Sequence, residues 1–179
     1  MSNQDKINNR DERVYQDEIR KMKVEEIPIC VDVIRKAFKT VADEFGFNEE
    51  NAPRFTAFAT DEGRLNYHYG VEMRPMYVYV HEGKIVGYYS LLVLNEDEIE
   101  LNNLSVLPGH RHQKIGEKLL EDCFKKAREL GKKKLKIGIV EENQVLRKWY
   151  EAHGFIHTGT VKYDFFPFTC GNMERELNI

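Results

Sequence analysis

The segment formed by residues 104–120 (LSVLPGHRHQKIGEKLL) constrains the fold more than any other part of the chain. It begins as a run of β-favouring residues and is interrupted by Pro108 and Gly109. It continues with Ile115 and Leu119 on one helical face. A strand that passes through a short turn into a helix is a building unit of mixed α/β sheets. The segment therefore predicts an α/β fold.

The rest of the chain alternates between strand-like and helix-like patterns. Apolar residues recur every three or four positions along residues 27–41 and 115–130, which predicts two amphipathic helices. Residues 76–80 and 84–94 are β-rich, and Glu82-Gly83 between them indicates a hairpin. Further elements are expected as short helices within residues 51–69, strands at 19–22, 98–106, 135–139, 155–168 and 172–177, and a short helix between Asn143 and Gly154. The predicted order is β-α-(α)-β-β-β-α-β-α-β-β, a mixed sheet with helices.

Length and composition limit the classes of protein that fit. The chain has 179 residues, which suits one domain, expected over residues 15–179 after a disordered lead-in at 1–14. A formal charge of −3 argues against nucleic acid as a partner. The longest apolar run, residues 85–94, is too short to span a membrane. Three widely spaced cysteines and a polar start predict reduced thiols and a cytoplasmic location.

The start of the helix at residue 115 lacks the usual capping residues. No Ser, Thr, Asp or Asn stands between Pro108 and Ile115, although such residues normally accept hydrogen bonds from the first backbone N–H groups. Arg111, Lys114 and Lys118 crowd this end, where the helix dipole disfavours cations. Two interpretations fit this pattern. The helix start is either a solvated basic end that frays, or an anion site in which a phosphate supplies the missing acceptors.

The segment also resembles the pyrophosphate loop of the GCN5-related N-acetyltransferases (GNAT family), V-x-P-x-x-R-G-x-G-I-G/A-x-x-L-L. The residues that match are Val106, Pro108, Arg111, Ile115, Gly116, Leu119 and Leu120. A second family segment, N-x-x-A-x-x-(aromatic or Leu)-Y-x-x-x-G-F, is matched by Asn143, Trp149, Tyr150, Gly154 and Phe155. The two segments stand in the family's order, and the resemblance extends over about residues 18–177.

The resemblance implies a fold and a cofactor. The fold is a central, mostly antiparallel sheet that is splayed between its fourth and fifth strands, with helices on both faces. Acetyl-coenzyme A (acetyl-CoA) binds at the splay. The residues implied to bind it are Leu104, Ser105, Val106, Arg111, His112, Gln113, Lys114, Ile115, Gly116, Glu117, Asn143 and Tyr150.

The chain departs from the family pattern at three positions. His112 and Lys114 replace the two loop glycines, and Leu146 replaces a small residue. The Cβ of Lys114 obstructs close approach of a phosphate if the loop needs a positive φ there, or its ammonium contacts the phosphate directly.

The resemblance also implies how the acetyl group reaches an amine. Tyr150 holds the family's general-acid position near the cofactor sulfur, and the backbone N–H of Val106 polarises the acetyl carbonyl. Glu100 lies where many family members have a glutamate that acts as base through water. Each side chain has an ordinary alternative: Tyr150 as a core aromatic beside Trp149, and Glu100 as an exposed strand residue.

The function predicted from these features is acetyl transfer from acetyl-CoA to a primary amine in a ternary complex. The acceptor is a small molecule or a peptide, and family members are often homodimers. A non-catalytic acyl-CoA-binding regulatory module of the same fold is the alternative. No metal is expected, because the six histidines show no ligand spacing. Residues 165–168 (FFPF) are expected to shape the acceptor cleft or a dimer contact.

Overall fold

A computed structural model describes residues 16–177, so the lead-in predicted for residues 1–14 lies outside the described part of the chain. The strands are Glu18–Lys21 (β1), Met76–His81 (β2), Lys84–Val93 (β3), Glu98–Val106 (β4), Lys134–Val140 (β5), Ile156–Lys162 (β6) and Thr169–Glu176 (β7). The α-helices are Ile27–Phe45 (α1), Thr56–Ala59 (α2), Glu62–Gly70 (α3), Ile115–Glu129 (α4) and Gln144–Ala152 (α5). Short 3₁₀ turns precede α1 and follow β4. The predicted order of elements is confirmed.

The seven strands form one mixed sheet in the order β1-β2-β3-β4-β5-β7-β6. All neighbouring strands are antiparallel except β4 and β5, which are parallel. This pair is registered only from Glu98 opposite Lys134 to Glu100 opposite Lys136. Beyond Glu100 the two strands separate, which confirms the splay between the fourth and fifth strands.

Helices cover the sheet on both faces, as the family resemblance implies. The face that we call the α1 face packs Val33 and Ile34 of α1 against Val78 and Tyr88 of the sheet. The opposite face, called the α4 face, has its own core, in which α4 packs on β3 and β4. Its buried members from α4 are Ile115, Leu119, Leu120, Cys123, Phe124 and Ala127. The chain leaves α4 and α5 through Gly131 (φ 71°) and Gly154 (φ 83°), because glycine adopts this left-handed conformation without steric cost.

The closing strands differ from the prediction. Instead of one strand over residues 155–168, β6 ends at Lys162, and residues 163–168 form a connection to β7. The reason is tertiary packing. Phe168 of this connection is buried against Phe47 and Phe55 of the α1–α2 segment, with ring centroids 4.9 and 5.7 Å apart. Phe166 and Phe168, which the sequence pattern assigns to a strand, therefore pack in an aromatic cluster on the α1 face.

Within residues 16–177, no helix is both long enough and apolar enough to cross a membrane.

Candidate functional site

The gap between β4 and β5 is shaped by a bulge in β4. The register with β3 shifts between Tyr88 and Ser90, and Asn103 takes a positive φ of 54° opposite this shift. Leu107 donates its backbone N–H to Val86 O on β3 at 2.8 Å. Since successive backbone N–H groups of a strand point to opposite sides, the N–H of Val106 points into the gap.

The hydroxyl of Ser105 is already engaged in a hydrogen bond within β4. Ser105 is buried, and its Oγ donates to Asn103 O at 2.8 Å. A contact between Ser105 and a cofactor would therefore have to come from backbone atoms.

The first turn of α4 presents unpaired backbone donors. Lys114 is the N-cap residue, and its side chain makes no capping hydrogen bond. Within the described residues, the N–H groups of residues 112–117 have no acceptor, and the first paired one is Lys118 N, which donates to Lys114 O at 3.0 Å. These donors and the helix dipole together favour an anion at this end.

The loop before α4 adopts a conformation that normally belongs to glycine. His112 and Lys114 have φ angles of 61° and 60°, the left-handed region that L-residues rarely occupy. These are the two positions at which the family pattern has glycine. The loop therefore keeps its conformation although both glycines are replaced.

The three cations near this helix start are placed differently. The Arg111 guanidinium donates to Ala37 O at 2.9 Å and to Thr40 Oγ1 at 3.0 Å, so it anchors the loop to α1, and burial lowers its pKa. Lys118 Nζ donates to Tyr79 Oη at 3.0 Å. Lys114 is exposed and has no hydrogen-bond or ion-pair partner among residues 16–177. Its ammonium is the one of the three that remains available to an anion.

Helix α5 brings Trp149, the neighbour of Tyr150, next to the start of α4. A Cβ added at Gly116 would lie 3.8 Å from Cζ2 of Trp149 and 4.0 Å from Cγ2 of Val106, so the ends of β4, α4 and α5 meet here. Tyr150 is buried in a T-shaped contact with Phe155, with ring centroids 5.2 Å apart. Burial raises the pKa of Tyr150 because the phenolate loses solvation. The phenol is therefore protonated at neutral pH.

The side chain of Asn143 uses one of its two polar atoms as a helix cap. Its Oδ1 accepts a hydrogen bond from Leu146 N at 3.0 Å and caps α5. Its Nδ2 has no acceptor among the described residues, so this donor remains unpaired.

Glu100 lies on the other side of the gap, on the α1 face. It accepts a hydrogen bond from Asn102 Nδ2 at 2.9 Å. It lines a cavity of about 250 Å³ together with Lys136, Ile137, Thr158, Asn172, Met173 and Glu174. The neighbouring Lys136 is paired with Glu98 at 2.8 Å, and this ion pair lowers the pKa of Glu98.

Several of these neighbours carry no local sequence signal. Thr158 and Asn172 belong to strands more than fifty positions from Glu100, and only the sheet order brings them together. The Arg111 anchor on α1 is of the same kind. Within the described residues, no group of three or more His, Cys, Asp or Glu side chains is placed to hold a metal ion.

Comparison with known proteins gives a family match over most of the chain. Residues 38–155 match the model of the acetyltransferase (GNAT) family. A curated relative, an uncharacterized N-acetyltransferase of Bacillus methanolicus, is 40% identical over 50 residues, which are 28% of this chain and 42% of that protein. The chain thus spans less than half the length of this relative.

Solved structures share the fold. The PaiA N-acetyltransferase of Thermoplasma acidophilum, in complex with coenzyme A, has a TM-score of 0.76 and 20% identity, over 90% of this chain and 99% of that one. A putative acetyltransferase of Salmonella typhimurium with its cofactor acetyl-CoA has a TM-score of 0.71 and 20% identity, over 92% of this chain and 96% of that one. At this identity the likeness concerns the fold alone.

Proposed function

Because the chain belongs to the GNAT acetyltransferase family, we propose that it transfers the acetyl group of acetyl-CoA to a primary amine by direct attack in a ternary complex. One observation carries the proposal. The unpaired N–H groups of residues 112–117 follow the end of β4, where β4 has separated from β5. An anion site thus adjoins a gap between two strands, as a phosphate-bearing thioester requires.

The residues around the gap fit acetyl-CoA by their chemistry. The N–H groups of residues 112–117 would hold the pyrophosphate, with the Lys114 ammonium as an added cation. The backbone of Leu104, Ser105 and Val106 and the amide of Asn143 would bind the pantetheine arm, whose amides need donors and acceptors. The full proposed set is Leu104, Ser105, Val106, Arg111, His112, Gln113, Lys114, Ile115, Gly116, Glu117, Asn143 and Tyr150.

The reaction forms one bond and breaks one. Acetyl-CoA supplies a thioester whose carbonyl carbon forms the new C–N bond as the C–S bond breaks. The Val106 N–H would stabilise negative charge on the carbonyl oxygen. Glu100 would take, through intervening water, the proton that the amine loses, and Tyr150 would give a proton to the departing sulfur. Proton exchange with solvent returns both residues to their starting states.

The first test separates cofactor binding from binding of simple anions. Thermal unfolding is measured with acetyl-CoA, with inorganic phosphate and with NADH. We expect a shift of several degrees with acetyl-CoA alone at a concentration well above its dissociation constant. No shift with acetyl-CoA would contradict the proposal at its first step.

The second test addresses the two catalytic residues. Release of the coenzyme A thiol is followed with a panel of primary amines for wild type, Tyr150→Phe and Glu100→Gln. We expect both variants to keep the thermal shift with acetyl-CoA and to lose at least about tenfold in kcat, since a positioned acid or base typically contributes about 10²–10⁴-fold. Tyr69→Phe, an exposed tyrosine on α3, is the matched control and is expected to behave as wild type.

Thiol release has a second informative outcome. If acetyl-CoA binds but no amine in the panel is acetylated, the chain would be the non-catalytic acyl-CoA-binding module instead of an enzyme.

A further inference from the structure

On the α1 face of the sheet, two glycines flank Asn172 in a row that crosses three strands. Gly138 of β5 pairs with Asn172 of β7, which in turn pairs with Gly159 of the edge strand β6. A Cβ at either glycine would have no atom within 4 Å, so the space above both is open. Asn172 is exposed and is the side chain that rises from this row. The row is therefore the floor of a trough that runs across three strands.

The trough leads to the proposed catalytic base. Asn172 and Glu100 line the same cavity, and Thr158 beside Gly159 lines it as well. Thr158 Oγ1 donates to Asn172 O at 3.3 Å, which keeps the hydroxyl at the trough floor. The side of the trough toward the start of β5 is formed by two ion pairs. Lys134 pairs with Glu174 at 3.0 Å, and Lys136 pairs with Glu98 at 2.8 Å.

Aromatic residues close the opposite side of the trough, toward the end of β5. Val140 is the next residue after Gly138 on the same face of β5, and it is buried under the cluster of Phe47, Phe55 and Phe168. This cluster joins the α1–α2 segment to the β6–β7 connection, so the α1 face is covered at the C-terminal end of β5. An acceptor that reaches Glu100 along this face would have to come across β6 and β7, through the trough.

We propose that the acceptor is the N-terminal end of a polypeptide, which lies extended along the trough with its α-amine at Glu100. This inference rests on the proposed acetyl transfer. From β6 across β7 and β5 to β4 there are three strand spacings, about 14 Å at about 4.8 Å each, which is the length of about four extended residues. The carboxamide of Asn172 both donates and accepts, so it matches a peptide group. An α-amine, with an ordinary pKa of about 7.7–8.0, is also more often neutral than a lysine amine.

The first experiment varies the length of the acceptor. Initial rates of thiol release are measured with amidated alanine, dialanine, trialanine and tetraalanine, which carry the same reacting amine. We expect kcat/KM to rise by about tenfold or more from one residue to four, mainly through KM, since one neutral hydrogen bond corresponds to about fivefold. Equal kcat/KM along the series, or faster transfer to the lysine of an N-acetylated peptide, would overturn the inference.

The second experiment fills the trough. Gly138→Leu places a side chain in open space at a position with ordinary backbone angles, and Asn172→Ala removes the carboxamide. We expect Gly138→Leu to raise KM for tetraalanine amide by about tenfold and Asn172→Ala by about fivefold. KM for alanine amide and the thermal shift with acetyl-CoA should change little. Thr160→Leu adds a leucine on the opposite face of β6 and is the matched control.

The outcomes separate this inference from the proposed function. If amines are acetylated but neither trough variant changes KM for tetraalanine amide, the acceptor assignment fails alone. A loss of acetyl-CoA binding in Gly138→Leu would also overturn it, because the open space would then belong to the cofactor. If acetyl-CoA binds and no amine of any length is acetylated, the proposed function itself fails.

Discussion

At the scale of single residues, the loop before α4 retains a conformation that its sequence does not favour. Lys114 has a φ of 60°, which costs an L-residue about 1–2 kcal/mol and glycine almost nothing. Strain of this kind is often found where a side chain or backbone group has a function. In this loop the candidate function is the contact between the free Lys114 ammonium and a phosphate.

Two substitutions at Lys114 separate strain from charge. Lys114→Gly relieves the strain, whereas Lys114→Ala keeps it, and both remove the ammonium. We expect Lys114→Gly to be more stable than Lys114→Ala by about 1 kcal/mol in urea unfolding. Both should bind acetyl-CoA more weakly than wild type, with a smaller dependence of affinity on salt. Equal affinity in all three proteins would show that Lys114 does not contact the cofactor.

Gly171 gives a second prediction at the residue scale. A Cβ there would overlap Glu141 Oε2 and lie 3.0 Å from Ile139 Cγ1. The Glu141 carboxylate accepts a hydrogen bond from Arg147 at 2.7 Å and lies 2.8 Å from His157 Nε2. Gly171→Ala must therefore displace a carboxylate that two partners hold. We expect a loss of about 1–3 kcal/mol in the free energy of unfolding, measured with urea. Gly138→Ala, on the paired strand with open space above it, should stay within about 1 kcal/mol of wild type.

At the scale of elements, helix α3 carries a buried histidine that makes stability depend on pH. His68 is buried, its Nδ1 has no partner among the described residues, and burial with the charge of Arg74 lowers its pKa to about 4. Glu72 opposes this shift, and Arg64 adds to it. In the unfolded chain a histidine has its ordinary pKa of about 6.5. Between these values the unfolded state binds more protons, so stability falls as the pH is lowered from about 6.5 to about 4.

Substitution of His68 tests this pH dependence. The urea midpoints of wild type and His68→Gln are measured at pH 7 and pH 5. We expect the decrease between the two pH values to be smaller in His68→Gln. His112→Gln, which changes an exposed histidine, should retain the full decrease. An identical decrease in His68→Gln and wild type would contradict the assignment of His68 as the group that titrates.

The elements themselves were predictable because their signals are local. The stripes of α1 and α4 and the hairpin at Glu82-Gly83 depend on spacing within a few turns, and the structure confirms them. The boundary of β6 was not predictable, because Phe166 and Phe168 have strand-forming side chains that pack in an aromatic cluster instead. Propensity cannot distinguish a phenylalanine buried by a sheet from one buried by a loop.

The site was predictable only in part, for a similar reason. The loop at residues 111–117 and Tyr150 belong to continuous segments, so spacing identifies them. The anchor of Arg111 on α1 depends on packing across some seventy positions of sequence. The row of Gly138, Asn172 and Gly159 depends on the register of three strands, which no single segment encodes.

At the scale of the whole molecule, the splay that makes room for a cofactor also weakens the sheet. Backbone pairing between β4 and β5 ends at Glu100. Beyond Glu100, strands β1–β4 and strands β5–β7 are therefore connected by side chains. On the α1 face this connection is the aromatic cluster, in which Phe168 contacts Phe47, Phe55 and Phe166 at centroid distances of 4.9, 5.7 and 4.5 Å. The cluster therefore takes the place of strand pairing at the open end of the gap.

Truncation of Phe168 is expected to loosen that end of the molecule. Phe168→Ala should reduce the free energy of unfolding by about 3 kcal/mol or more, because a buried phenylalanine is replaced by a cavity. Hydrogen exchange should accelerate most in β7 and in the end of β5, which the cluster covers through Val140, and least in β2 and β3. Phe165→Ala, an exposed neighbour in the same connection, is the control and should change exchange little. Uniform acceleration over all strands would mean that the sheet opens as one unit and that the cluster does not hold the splay separately.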